Sequence, residues 1–176
     1  MAGEAVMDVR FDASDVAALQ RAFIAAPDLT AEELHAFMAR ATAHLQAEVQ
    51  ERTPTTHGTL RASIFGEVDP FGKGLHVTGI TGTPSAYVLP VEFGSKPHYV
   101  GEKGIEALTD WAEQKLGVTG EEAVAAAHRV AWKIRHHGTK PVRMFGDAFN
   151  ANRPQIGADF ARTVRDLLKR IERAAQ

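Results

Sequence analysis

Eight histidines are the first residues of this chain that could do chemistry, because imidazole is the commonest protein ligand for transition metals. A helical metal site needs ligands one turn apart, as in HxxxH or HExxH, and neither pattern occurs. His128 and His136 lie eight residues apart. The adjacent His136 and His137 point in different directions at a predicted helix end, where the helix dipole favours positive charge. We therefore predict no metal site and no cofactor.

Nucleophilic and phosphate chemistry also lack their sequence patterns. The chain has no cysteine, and no Gly-x-Ser-x-Gly elbow surrounds Ser14, Ser63 or Ser85. Residues 66–74 (GEVDPFGKG) resemble a phosphate-binding loop, but its glycines are six rather than five residues apart. Gly74 also stands where a magnesium-binding Ser or Thr is needed, so we predict a hairpin loop. The chain is predicted to be no enzyme, and the purified protein to lack hydrolase and nuclease activity.

Clustered cations are the third candidate, because nucleic acid is bound through its phosphates. The stretch 123–146 has five bases and no acid. The bases of this stretch and of the last helix are Arg129, Lys133, Arg135, Lys140, Arg143, Arg162, Arg165, Lys169, Arg170 and Arg173. Against DNA recognition, the aromatic residues sit with apolar neighbours, no recognition motif is present and the pI is near 6.4. A cytoplasmic nucleic-acid-binding module that uses the basic C-terminal third is therefore the alternative, and non-specific contact with DNA passing through an assembly stays open.

The whole chain is nearly neutral, but its charge is divided unevenly. Residues 1–122 carry 18 acids and 9 bases, a net charge of −9, and residues 123–176 carry 4 acids and 11 bases, a net charge of +7. This division fits either a charged interface or two solvated faces of one fold. The length of 176 residues suits one domain, and neither a secretory signal nor an apolar run long enough for a membrane span is found. We expect a soluble protein made in a cytoplasm.

Helices must position most of these residues. Periodic apolar residues predict a helix over 15–26, a long helix that opens with a capping box at Thr30 and Glu33 and closes before Pro54, and a last helix over 155–174. Two further helices are predicted from 105 to 116 and from 121 to a C-cap at Gly138. Residues 140–154 are predicted to form an irregular link.

A small antiparallel sheet is predicted between these helices. Residues 53–104 hold 9 of the 15 glycines and 5 of the 8 prolines. Alternating apolar residues predict strands over 60–68 and 75–81, joined by a hairpin at 69–74. A third strand is predicted over 86–93, at an edge because Pro90 cannot donate to a ladder. The fold class is therefore α+β: a small antiparallel sheet packed against a long N-terminal helix and a C-terminal helix, in a single domain over 1–176 with a helical insertion at about 101–138.

Three ordered motifs resemble the tail-completion or neck proteins of long-tailed bacteriophages, the minor-tail-component family. They are residues 52–64 (RTPTTHGTLRASI), 86–95 (AYVLPVEFGS) and 138–149 (GTKPVRMFGDAF). Ser95 replaces the Thr usual in that family. Many members also run almost directly from the second motif to the third, whereas here the segment 101–138 intervenes.

The resemblance implies a structural virion protein that completes the tail and joins it to the capsid connector. It would form an oligomeric ring, hexameric by the resemblance, around the DNA channel. Its partners would be the head-closure or connector protein and a tail terminator or tail tube protein, with no membrane involved. It would act in the virion neck after assembly in the host cytoplasm. A tail terminator is the alternative within the same class.

The candidate interface residues are the end of the predicted third strand and one side of the last helix, where three bases lie four residues apart. They are Glu92, Phe93, Gly94, Ser95, Lys96, Arg165, Lys169 and Arg173. The candidate turn and structural residues are Gly58, Leu60, Arg61, Pro141 and Phe145. Gly58 and Gly94 are predicted to have positive φ, and Met144, Phe145 and Phe149 to fill core.

Overall fold

The computed structural model describes residues 13–69 and 77–174. Their backbone falls into two compact units. The first unit takes its described residues from Met1–Arg52, Ile64–Thr83 and Phe145–Gln176, and the second consists of Thr53–Ser63 and Pro84–Met144. The helices predicted for the insertion at 101–138 both form, and they share the second unit with residues on either side of that segment.

The core of the first unit lies between long helices. These are α1 (Ala13–Ala25), α2 (Pro27–Arg52) and α7 (Met144–Ala174). Leu34, Phe37 and Leu45 of α2 pack with Ile156, Phe160 and Val164 of α7. The rings of Phe37 and Phe160 meet edge to face with their centroids 5.4 Å apart, a geometry that aromatic pairs favour.

A two-stranded antiparallel sheet packs on α2. Strands β1 (Phe65–Val68) and β2 (Gly79–Gly82) pair with Phe65 opposite Gly82 and Val68 opposite Gly79. Gln46 and Gln50 donate side-chain hydrogen bonds of 3.0 and 3.3 Å to the carbonyl oxygen of Ile64, just before β1. The predicted α+β class is thereby confirmed, with helices dominating. The loop predicted at 69–74 falls mostly outside the described residues.

The second unit is built on a helical hairpin. Helices α5 (Glu102–Leu116) and α6 (Glu121–His137) pack through Ala112, Ala123 and Ala126, beside the larger Trp111 and Val118. Gly117 and Gly138 end the two helices as predicted. Two short helices, α3 (Thr59–Ala62) and α4 (Val88–Phe93), complete the unit.

The predictions of extended chain at 60–64 and 86–93 are wrong. Leu60 and Arg61 belong to helix α3. Where a third strand was predicted, the chain forms helix α4. Pro90 is the third residue of α4. The first four N–H groups of a helix have no partner within it, so a proline is tolerated there. The sequence suggested a strand because alternating apolar residues over so short a run fit both structures.

Two helix starts are also corrected. Thr30 lies inside α2 and its hydroxyl donates to the carbonyl oxygen of Ala26 at 2.7 Å, so it does not cap the helix; Pro27 is the first helical residue. Helix α7 begins at Met144 and continues through Pro154, where an irregular link was predicted. Phe149, Ile156 and Phe160 form one apolar stripe across this proline, and their packing outweighs the lost N–H donor.

Candidate interface at the Ser95–Thr139 crossing

Two distant segments of the second unit cross at Ser95 and Thr139. Each residue's N–H donates to the other's carbonyl oxygen, at 3.2 Å from Ser95 and 3.0 Å from Thr139. The Thr139 hydroxyl also donates to the Ser95 hydroxyl oxygen at 3.0 Å. We call this pair the Ser95–Thr139 crossing. It joins the second and third sequence motifs, which sequence reasoning treated separately.

Glycines on both sides allow the two backbones to come this close. Gly94 has φ 74° and ψ −179°, and Gly138 has φ 69° and ψ −161°, a region open almost only to glycine. A Cβ on Gly94 would overlap the Thr139 carbonyl oxygen and lie 2.9 Å from the Pro141 nitrogen. A Cβ on Gly138 would overlap the Ser95 carbonyl oxygen. The positive φ predicted for Gly94 is confirmed. The Pro141 backbone lies close to Gly94 and leaves no room for a side chain there.

The pairing continues past the crossing. The Val142 N–H donates to the carbonyl oxygen of Val91 at 2.9 Å, and the Arg143 N–H donates to that of Glu92 at 3.1 Å. Arg143 has φ 57°, which is uncommon outside glycine. These four main-chain hydrogen bonds hold α4 against the segment that leads into α7.

The candidate interface residues of α4 divide into buried and exposed. Glu92 is buried, with 7% of its surface exposed, and it lies in α4 and not at the end of a strand. Phe93 is 70% exposed and Leu89, one turn earlier on the same helix face, is 44% exposed. We call Leu89 and Phe93 the α4 patch. Ser95 is half-buried and Lys96 is exposed, which places the polar candidates at the crossing and beside it.

The three basic candidates lie in the first unit. Arg165, Lys169 and Arg173 are all exposed on α7, on the solvent side as predicted. Several bases of this helix pair with acids: Lys169 lies 3.7 Å from Asp166, and Arg170 pairs with Glu33. The segment 145–176 carries 6 bases and 4 acids, whereas 123–144 carries 5 bases and no acid. The excess of bases in residues 123–176 therefore lies mainly in 123–144, a segment of the second unit, which as a whole carries 9 bases and 7 acids.

The first motif forms a turn and a short helix. Gly58 has φ 76° as predicted, and a Cβ there would meet no atom within 4 Å. Leu60 is half-buried and Arg61 exposed. The His57 Nε2 lies 3.1 Å from an Asp110 carboxylate oxygen, and the Gln114 amide lies 3.1 Å from the His57 Nδ1. The Ser63 hydroxyl donates to the Leu60 carbonyl oxygen at 2.8 Å, and the His57 contacts hold this turn against α5.

Core positions of the third motif are as predicted. Met144 is fully buried in the second unit, where the Thr53 hydroxyl contacts its sulfur at 3.3 Å. Phe145 is buried in the first unit, with its ring 6.4 Å from that of Phe149. These side chains are therefore structural.

A polar network on α2 and α7 was missed by sequence reasoning. The Asn152 amide donates to a Glu48 carboxylate oxygen at 3.1 Å, and Arg52 donates to the same oxygen. These hydrogen bonds, first that of Asn152, lower the pKa of Glu48 from its ordinary value of 4.5. The Asn152 side-chain oxygen accepts a 2.7 Å hydrogen bond from His44. Asn152 lies in the segment predicted to be irregular, so no periodic signal placed it against α2.

The expectation that aromatic residues avoid the bases is wrong for α6. Trp132 is 60% exposed and has Arg129 one turn before it and Arg135 one turn after it. Val124 of the same helix is 42% exposed. Ala123, Ala126 and Ala127 are buried, and the larger Val130 and Ile134, which follow them at helical spacing, are half-buried.

Within residues 13–69 and 77–174, no three His, Asp or Glu side chains come together in a way that could hold a metal ion. The helices of these residues include none with the length and apolar character of a membrane span. Comparison with protein-family models, with curated proteins and with solved structures finds no match for this chain. Its function is therefore inferred from its own motifs and geometry.

Proposed function

We propose that this chain is a structural neck or tail-completion protein of a long-tailed bacteriophage. It would assemble as a ring around the DNA channel and join the tail to the capsid connector. The protein would then reside in the virion after assembly in the host cytoplasm, and its role would need no catalytic residue.

The Ser95–Thr139 crossing carries this proposal. Two of the three motifs behind the family resemblance, residues 86–95 and 138–149, are hydrogen-bonded neighbours although they lie far apart in sequence. Gly94 of one motif and Thr139 of the other can come this close because glycine has no side chain. A Cβ at Gly94 would overlap the Thr139 carbonyl oxygen. Two motifs that are joined by main-chain hydrogen bonds fit a structural role, the positioning of a subunit contact, better than a catalytic role.

The α4 patch gives this rigid element a surface for assembly. Leu89 and Phe93 are exposed on a helix whose end is fixed by the crossing. Burying a Phe side chain at a subunit contact contributes roughly 1.5–3 kcal/mol, and a surface held in place loses little entropy on binding. A contact between the α4 patch of one subunit and a different surface of the next would be head-to-tail, the type of contact that closes into rings.

Sedimentation and electron microscopy of the purified protein test the proposed ring. We expect closed rings of uniform size for the wild type and for Ile24→Glu, which places a charge at an exposed apolar residue of the first unit. Phe93→Glu should sediment as a folded monomer, because a buried charge at the contact is strongly unfavourable. Equal assembly of Phe93→Glu and wild type would contradict the α4 patch as the ring contact.

A further inference from the structure

The exposed side of α6 carries an aromatic and cationic surface that the proposed neck role does not use. It consists of Tyr99, Arg129, Trp132, Arg135 and His136, and we call it the Trp132 surface. All five side chains are exposed, Trp132 to 60% and Tyr99 to 74%. Trp132 lies nine residues after the buried Ala123, which is two and a half helical turns, so it is on the face opposite the α5 contact.

The aromatic rings of this surface are already ordered. The His136 Nδ1 donates to the carbonyl oxygen of Trp132 at 2.7 Å, and the two rings stack with centroids 4.3 Å apart. The His137 ring also meets Trp132 edge to face with centroids 6.2 Å apart, and the Trp132 side chain is still 60% exposed, so part of the indole remains available to a ligand. The Arg135 guanidinium lies 5.9 Å from the centre of the Tyr99 ring, within range of a cation–π contact.

The cations around Trp132 are not neutralised by neighbouring acids. Arg129, Lys133 and Arg135 belong to a segment, 123–144, with a net charge of +5. Among the described residues, none of these three is paired with a carboxylate. The acids Glu121 and Glu122 lie at the first turn of α6, more than two turns before Trp132. The surface therefore suits a polyanion.

Single-stranded nucleic acid is the polyanion that matches both properties, and we propose that the Trp132 surface binds it without sequence preference. Bases would stack on Trp132 and Tyr99, and phosphates would contact Arg129 and Arg135. An acidic peptide would satisfy the cations but leave the exposed part of the indole without a planar partner. A duplex presents phosphates but keeps its base faces inside its own stack. This binding site does not depend on the proposed neck role.

Tryptophan fluorescence and anisotropy test the site directly. The chain has two tryptophans, of which Trp111 packs beside the α5–α6 core. Oligothymidylate should quench the fluorescence of the wild type, and the quenching should be lost in Trp132→Phe. Anisotropy of the labelled oligonucleotide should show at least about fivefold weaker binding for Trp132→Ala, with partial recovery in Trp132→Phe because a phenyl ring still stacks. Tyr87→Ala, which removes another exposed aromatic ring of the second unit, should bind like the wild type.

Charge-matched variants separate this site from general attraction. Arg129→Gln with Arg135→Gln should weaken binding about tenfold or more, and Arg165→Gln with Lys169→Gln, which removes the same charge from α7, should have little effect. The slope of log affinity against log salt should be about −1.4 between about 50 and 200 mM, as expected for phosphate contacts at the two cations Arg129 and Arg135 on a single strand. Circular dichroism confirms the fold of each variant. Absence of binding at low salt, equal losses in both double variants, or equal binding of duplex or polyglutamate without tryptophan quenching would overturn the proposal.

Discussion

Ser95 and Thr139 lie 44 residues apart and exchange a pair of main-chain hydrogen bonds of 3.2 and 3.0 Å. The contact is possible because Gly94 and Gly138 precede them in backbone conformations that other residues rarely adopt. It fixes α4, and with it the α4 patch, in the second unit. The stability of this crossing is therefore the first property to test.

Substitution at Gly94 should destabilise the second unit far more than substitution at an ordinary helix-end glycine. Gly94→Ala combines the strain of its backbone region, about 1–3 kcal/mol, with overlap against the Thr139 carbonyl oxygen. Gly117→Ala is the matched control, since Gly117 has φ 69° but an open space where the Cβ would lie. Urea unfolding should show a loss of about 1 kcal/mol for Gly117→Ala and at least about twice that for Gly94→Ala. Equal losses would show that the crossing tolerates a side chain.

The larger Gly94→Val should impair solubility or virion assembly. A β-branched side chain at positive φ is strongly disfavoured, and its extra atoms would enlarge the overlap with Thr139. Phage titre after complementation with this variant measures the effect. A normal titre would mean that neither the geometry of the crossing nor the presentation of the α4 patch matters for assembly.

Charge reversal of Arg165, Lys169 and Arg173 should weaken association with a neighbouring subunit or neck protein while leaving the monomer folded. The three side chains are exposed on one helix, so their replacement by glutamate removes no core contact. Attraction between surfaces is screened over about 8 Å at physiological ionic strength, so wild-type association should also weaken with salt. Because Lys169 already lies near Asp166, we expect a smaller effect than that of Phe93→Glu. Sedimentation at low and high salt checks both expectations; identical distributions for the wild type and the triple variant would refute electrostatic assembly.

The Glu48 network should make the stability of the first unit depend on pH in the acid range. The folded state lowers the pKa of Glu48, so the carboxylate stabilises the fold above its ordinary pKa of 4.5, and this contribution is lost as the pH falls through the lower folded value. Glu48→Gln should therefore be less stable than the wild type at pH 7, and the difference in stability should close as the pH falls below 4.5. Glu51→Gln, at an exposed glutamate on the same helix, is the control. Urea midpoints across this range give the comparison, and a constant gap between wild type and Glu48→Gln would contradict the linkage.

Long periodic segments were predicted well from the sequence because burial along one face determines them. Helices α5 and α6, with their glycine ends, and the apolar stripe of α7 from Ile156 to Leu168 form where the pattern places them. The shorter elements were predicted less well. A run such as Val88–Phe93 is compatible with strand or helix, and contacts distant in sequence, such as those of its carbonyls with the Val142 and Arg143 N–H groups, are not visible in its pattern.

The candidate sites, like the short elements, depend on contacts between residues far apart in the sequence. The motifs around Gly94 and Gly138 could be found in the sequence, but their pairing could not, because a contact across 44 residues leaves no local signal. The sequence predicts the aromatic residues among apolar neighbours, whereas Trp132 lies among bases on the exposed side of α6. Its exposure follows from the alanines at positions 123, 126 and 127, which give α5 a closer approach on another side of α6.

Electron microscopy of particles produced with and without this gene tests the proposed neck role most directly. Deleting the gene from the genome that encodes it should yield filled heads and separate tails, and expression of the wild-type chain should restore joined particles with this protein at the head–tail joint. Phe93→Glu should fail to restore them, and Ile24→Glu should succeed. Joined, infectious particles in the absence of the gene, or a genome that yields no phage particles at all, would contradict the proposal.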